Sequence, residues 1–106
     1  MEQNEKELIM TIADSYGYAE QSMQCIEECA ELIQAINKFR RAANEHKPYE
    51  VLQEKVLNII EEIADVELML EQMVYLIRVK REDIDAIKKQ KINRTISRMN
   101  SEPSTK

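Results

Sequence analysis

Residues 50–80 read EVLQEKVLNIIEEIADVELMLEQMVYLIRVK, a run that contains neither Gly nor Pro. Within it Val51, Val56, Ile59, Ile60, Ile63, Val66, Leu70, Val74 and Ile77 recur at the three-and-four spacing of a helix. A continuous helix of this length would extend roughly 45 Å at 1.5 Å per residue, whereas a compact globule of this chain length has a radius of gyration near ~13 Å. The apolar positions also spread beyond one stripe, to Leu57, Ala64, Leu68 and Leu76, as in a helix covered on several sides. The stretch therefore predicts an all-α fold, a helical bundle completed by homo-oligomerisation into a homodimer or a homotetramer built as a dimer of dimers.

Upstream, Met23, Ile26, Ala30, Ile33 and Ile36 give the segment from about Ala19 to Ala43 the same helical spacing. Leu8, Ile9 and Ile12 predict a shorter helix before it. Gly17, the only glycine of the chain, marks a bend between the two. The polar run Asn44 to Lys47 ends in Pro48 and reads as the connection to the long helix. Downstream, residues 82–99 place Ile84, Ile87, Ile92 and Ile96 on one side of a last helix and a dense set of Lys and Arg on the rest. Residues 1–100 form one domain on this reading, and 101–106 a frayed polar tail.

Composition excludes several function classes. With 20 acidic against 15 basic residues and a formal charge of −5, the chain offers a nucleic acid polymer no broad basic face. No stretch is apolar and uncharged for long enough to span a membrane. Met1 to Glu7 carry three Glu and one Lys, unlike a secretory leader, so a cytoplasmic protein is expected. Cys25 and Cys29 lie one helical turn apart without further zinc-type ligands, which predicts buried free thiols.

The chemistry-bearing feature is a repeated acidic pattern. Glu27, Glu28 and Glu31 stand on one expected helix, and Glu61, Glu62 and Asp65 on the next. Helical residues three apart are neighbours, so Glu28 with Glu31, and Glu62 with Asp65, each form a pair about 5–6 Å apart at Cβ. Two such helices packed antiparallel would gather four carboxylates around one point, an all-oxygen site of the kind that magnesium or manganese prefers. Two carboxylates roughly 5 Å apart at an effective dielectric near 20 repel by about 3 kcal/mol, and a divalent cation would offset that cost. From spacing alone, a solvated acidic face is an equal alternative. A di-iron centre would need Glu-x-x-His on its helices, and the only histidine, His46, falls in a loop.

The acids and their flanks resemble those of the MazG-like all-α nucleoside triphosphate pyrophosphohydrolases, whose signature is Glu-x-x-Glu on one helix and Glu-x-x-Asp on the next. Here these read Glu28-Cys29-Ala30-Glu31 and Glu62-Ile63-Ala64-Asp65, with Tyr16-Gly17, Gln21 and Ile26-Glu27 before them and Val66 after. The likeness covers roughly residues 13–99. It implies a MazG-like helical bundle in which Glu28, Glu31, Glu62 and Asp65 hold Mg²⁺, or Mn²⁺ in its place. A nucleoside triphosphate would be cleaved to the monophosphate and pyrophosphate by water attacking the α-phosphorus, with Glu31 as the acceptor of its proton. Lys91, Arg94 and Arg98, spaced three and four apart, resemble the family's C-terminal basic segment that reaches the polyphosphate. Lys38, seven residues after Glu31, and Gln21, seven before Glu28, are further substrate-binding candidates.

Two features depart from the family pattern. Thirty residues separate Glu31 from Glu62, a long connection, and the absence of Trp leaves base preference unread. A non-catalytic helical oligomer that binds a nucleotide or a partner protein is the competing expectation.

Overall fold

The computed structural model describes residues 4–101, which form three helices: α1, Glu5–Asn44; α2, Tyr49–Leu76; and α3, Arg81–Ser101. Ser101, placed in the expected tail, is still helical, and residues 102–106 of that tail lie outside the described residues.

Asn4 caps α1, its side-chain oxygen accepting from the Glu7 N–H at 2.8 Å, and Glu5 and Glu7 place negative charge at the positive end of the helix dipole. Gly17 breaks α1 in two with φ 83° and ψ 168°, a conformation that disfavours any residue carrying a Cβ. At the end of α1, His46 turns left-handed at φ 54° and the Lys47 N–H reaches back to the Ala42 carbonyl at 3.0 Å, the hydrogen bond that closes a Schellman turn. Pro48 then starts α2 with its fixed φ of −61°.

The long helix is shorter than its composition predicts. It ends at Leu76 rather than running to Lys80, because Arg78 adopts φ 60° and the Val79 N–H bonds back to the Val74 carbonyl at 3.1 Å. The same Schellman geometry that closes α1 closes α2, with an arginine where glycine is usual, so no residue type announces the stop.

α1 and α2 pack against each other as an antiparallel hairpin, while α3 has no buried residue and packs on neither of them extensively. The α1 side of the seam is Gln21, Ala35 and Ala42, all buried, with Cys25, Glu28, Leu32 and Phe39 half-buried between them. The α2 side is built around buried Val66, Met69 and Gln72, with half-buried Ile59, Glu62 and Asp65. The apolar stripe that identifies α1 in the sequence does not face α2. Met23, Ile26 and Ile33 are 65%, 68% and 61% exposed, and Leu57, Ile60, Leu68 and Leu70 of α2 are likewise exposed. The seam thus mixes small and apolar side chains with Gln21, Gln72 and the acids, while several large apolar side chains face outward among the charged ones.

The radius of gyration is 18.3 Å, against about 13 Å for a compact chain of this size. The accessible surface is 8926 Å², against roughly 6,200 Å² from the usual scaling with mass.

Candidate functional site

Three polar pairs mark the register of the hairpin. Gln21 Nε2 donates to Gln72 Oε1 at 2.7 Å across the buried seam. Seven residues on along α1 and seven back along α2, Glu28 meets Asp65, and one rung further Glu31 meets Glu62. A seven-residue step is two helical turns, so both carboxylate pairs fall on the same side of the hairpin as a consequence of one register.

Carboxylate oxygens of Glu28, Glu62 and Asp65 lie within 4.8 Å of one another. Glu31 is exposed and stands beside this trio, close enough for its charge to act on Glu28 and Glu62. All four acids of the sequence pattern are therefore brought together. Among the described residues the one ion pair joins Lys47 to Glu45 at 3.6 Å, so no lysine or arginine neutralises them.

The electrostatics follow from that crowding. Burial pushes the Glu28 carboxyl above the usual carboxylate range, and the close approach of Asp65 and the charges of Glu31 and Asp65 add to the effect, which the Gln24 amide partly offsets. Burial likewise raises Glu62, followed by the charges of Glu31 and Asp65, the Glu31 hydrogen bond and the charge of Glu61. One oxygen of each residue, Glu28 Oε2 and Glu62 Oε2, is closed off from solvent and has no hydrogen-bond partner. Shielded carboxylate oxygens without donors are costly. A donor set of oxygens alone, with two of them orphaned, fits a hard divalent cation such as Mg²⁺ or Mn²⁺.

The remaining candidates are placed as follows. Gln21 is 7% exposed and its amide nitrogen is committed to Gln72, which is itself 4% exposed. The glutamine that touches the acids is Gln24, whose Nε2 donates to Glu28 Oε1 at 2.9 Å. The sequence reading missed it, although its four-residue spacing to Glu28 was the available signal. Gln24 and Gln21 also line a hollow of about 510 Å³ with Tyr16, Glu20, Met23 and Glu27. Lys38 is exposed on the face of α1 that carries Glu31. Lys91, Arg94 and Arg98 are exposed on α3 and are not brought to the carboxylates of their own chain. Cys25 and Cys29 are free and half-buried rather than fully buried, and burial, reinforced by Cys29, pushes the Cys25 thiol up, away from reactivity.

No helix among the described residues is long and apolar enough to cross a membrane. Comparison with known protein families, with curated proteins and with solved structures finds no match.

Proposed function

We propose that the chain is a Mg²⁺-dependent pyrophosphohydrolase of nucleoside triphosphates, MazG-like in fold, that releases the monophosphate and pyrophosphate. The observation that supports this reading is the pair of shielded, unpartnered oxygens, Glu28 Oε2 and Glu62 Oε2, in a four-acid cluster that no basic side chain neutralises. A shielded carboxylate oxygen without a donor is harder to account for on a solvated face than as a ligand atom.

Glu28, Glu62 and Asp65 would hold the cation, with Glu31 completing the set. When bound, Mg²⁺ neutralises phosphate charge and polarises the phosphoryl oxygens. The protein's own work is positional. Gln24 orients the Glu28 carboxylate, and Glu31, the most solvent-accessible of the four, accepts the proton as water adds to the α-phosphorus and the bond to the bridging oxygen breaks.

The same proposal includes assembly. An accessible surface on the order of 2,000–3,000 Å² above the single-chain expectation is what a chain would bury in a large obligate homodimer or across the several interfaces of a dimer of dimers. The apolar outward faces of α1 and α2, and a third helix with nothing to pack on, supply that surface. Lys91, Arg94 and Arg98 would then reach polyphosphate at a site of the assembly.

The test is incubation with each ribo- and deoxyribonucleoside triphosphate in millimolar Mg²⁺, with separate detection of pyrophosphate and orthophosphate. Pyrophosphate as first product is expected. Early orthophosphate overturns the reaction, and no turnover with any nucleotide favours the non-catalytic oligomer. A monomeric mass by light scattering at micromolar concentration overturns the assembly.

A further inference from the structure

Ten residues beyond Asp65 on α2, roughly 15 Å along the helix, the Tyr75 phenol donates to the Asp14 carboxylate, 2.9 and 2.8 Å from its two oxygens. This contact holds the segment of α1 that precedes the Gly17 break against the end of α2. Beside it opens a hollow of about 590 Å³, within the size range of small-molecule sites. Its apolar lining is Ile9 and Met10 of α1, Val74 of α2 and Val79 of the following turn, the first three half-buried. Its charged lining is Lys6, Arg78 and Arg81 against Glu5 and Glu71.

Each of the three cations stands where the local backbone disfavours it, Arg78 by conformation and the other two by charge. Arg78 holds φ 60° just past the end of α2, a position where glycine is the low-cost residue. The C-terminal end of a helix favours a cation, but any residue of the last turn could supply one without a left-handed backbone, and none there is basic. Arg81 is the first residue of α3 and Lys6 the second of α1, both at the positive end of a helix dipole, which favours acids. None of the three forms an ion pair among the described residues, although two acids share the lining. In a chain of net charge −5 this lining still holds more cations than acids. A strained backbone and unpaired cations gathered over an apolar floor are the features of a binding place rather than of a packing defect. An arginine fork matches the oxygens of a carboxylate or a phosphate.

We propose that this hollow binds an organic anion, an apolar body bearing one carboxylate or phosphate head, at a site separate from the carboxylate cluster and independent of the hydrolase reading. The body lies on Ile9, Met10 and Val74, and the head is held by Arg78 and Arg81 with Lys6 from α1. Because the lining comes from all three helices, an occupant ties α3 to a hairpin on which it otherwise packs little.

The experiment measures binding to the full chain by calorimetry in EDTA, with decanoate, decyl phosphate and uncharged decanol as separate probes, each below its micelle-forming or solubility limit. One anion per chain is expected to bind about tenfold or more tightly than decanol, and the tighter of the two heads identifies the class. Arg78→Gly and Arg81→Gln are each expected to weaken the anion several-fold and leave decanol unchanged, while Arg78→Gly melts no lower than the parent. Ile26→Ser, on the outward face of α1, and the distant Lys38→Ala are expected to change neither probe. Decanol bound as tightly as the anions, parent-like anion binding when Arg78→Gly and Arg81→Gln are combined, or an equal loss in Ile26→Ser overturns the site, as does absence of binding by both anions. Neither Mg²⁺ nor a nucleotide enters the measurement, so it is decided apart from the nucleotide assay.

Discussion

The Gln21 amide nitrogen donates to the Gln72 side-chain oxygen at 2.7 Å, and both residues are buried in the α1–α2 seam. This places a polar pair where a helical hairpin ordinarily places leucines. It also pins the register that brings Glu28 to Asp65 and Glu31 to Glu62 two turns away.

Breaking that pair on one side should therefore cost more than removing it altogether. Gln21→Ala leaves the Gln72 amide buried without its partner and should destabilise the fold by about 1–3 kcal/mol. The double change Gln21→Leu with Gln72→Leu should be near neutral or stabilising. Chemical denaturation of the two variants decides the matter. A double variant that is stable yet has a raised KM would return Gln21 to substrate binding.

Neutralising one acid of the cluster should separate function from stability. Glu31→Gln and Asp65→Asn are expected to lose activity yet melt no lower than the parent in EDTA, with a rise of about a few degrees where repulsion is relieved. Millimolar Mg²⁺ should raise the parent's Tm through preferential binding to the folded state, and raise the variants' much less. Equal magnesium responses in parent and variants would mean that the four acids do not form one site.

The raised carboxyls of Glu28 and Glu62 carry a pH dependence of definite sign. A carboxyl that binds its proton more tightly folded than unfolded makes the native state the better proton acceptor, so stability falls as pH rises through the folded pKa. In EDTA the parent's Tm should fall as pH rises from the ordinary carboxylate range toward neutrality, and Glu62→Gln should flatten that fall. In saturating Mg²⁺ the trend should reverse, because protons then compete with the metal. A parent melting profile in EDTA that rises steadily toward pH 7.5 would contradict the crowding of the acids.

The basic face of α3 and the acids should fail in different ways. Arg94→Ala and Arg98→Ala should chiefly raise KM, and Glu62→Gln should abolish turnover at any substrate concentration. Because α3 does not pack on its own hairpin, mixing Arg94→Ala chains with Glu62→Gln chains should recover part of the activity if the cations act across subunits. Unchanged kinetics in both arginine variants would leave α3 with a purely structural role.

Arg78 occupies the left-handed position that closes α2. Arg78→Gly removes the conformational penalty of a Cβ there and should stabilise the fold by about 0.5–1 kcal/mol, visible as a higher midpoint in urea. A loss of stability would show that the arginine side chain contributes more than its backbone strain costs.

Much was determined by the sequence by itself. Period-3.6 hydrophobicity, scarce Gly and Pro and the punctuation at Gly17 and Pro48 dictate helices and three of their boundaries, because these are local effects of backbone conformation and side-chain spacing. The spacing of Glu28 with Glu31, and of Glu62 with Asp65, likewise puts each pair on one helical face without reference to any other part of the chain. Tertiary structure decided the rest. Only the packing of α1 on α2 selects a register, and the register alone brings Glu28 to Glu62 and Asp65 and pairs Gln21 with Gln72. It also decided which face of α1 turns inward. Hydrophobic periodicity identifies an apolar stripe but not its partner, and here Met23, Ile26 and Ile33 look away from α2 while Gln21 and Glu28 line the seam. The end of α2 at Leu76 was equally illegible, because a left-handed arginine obeys the hydrogen-bonding demands of the turn and not the preference of its residue type.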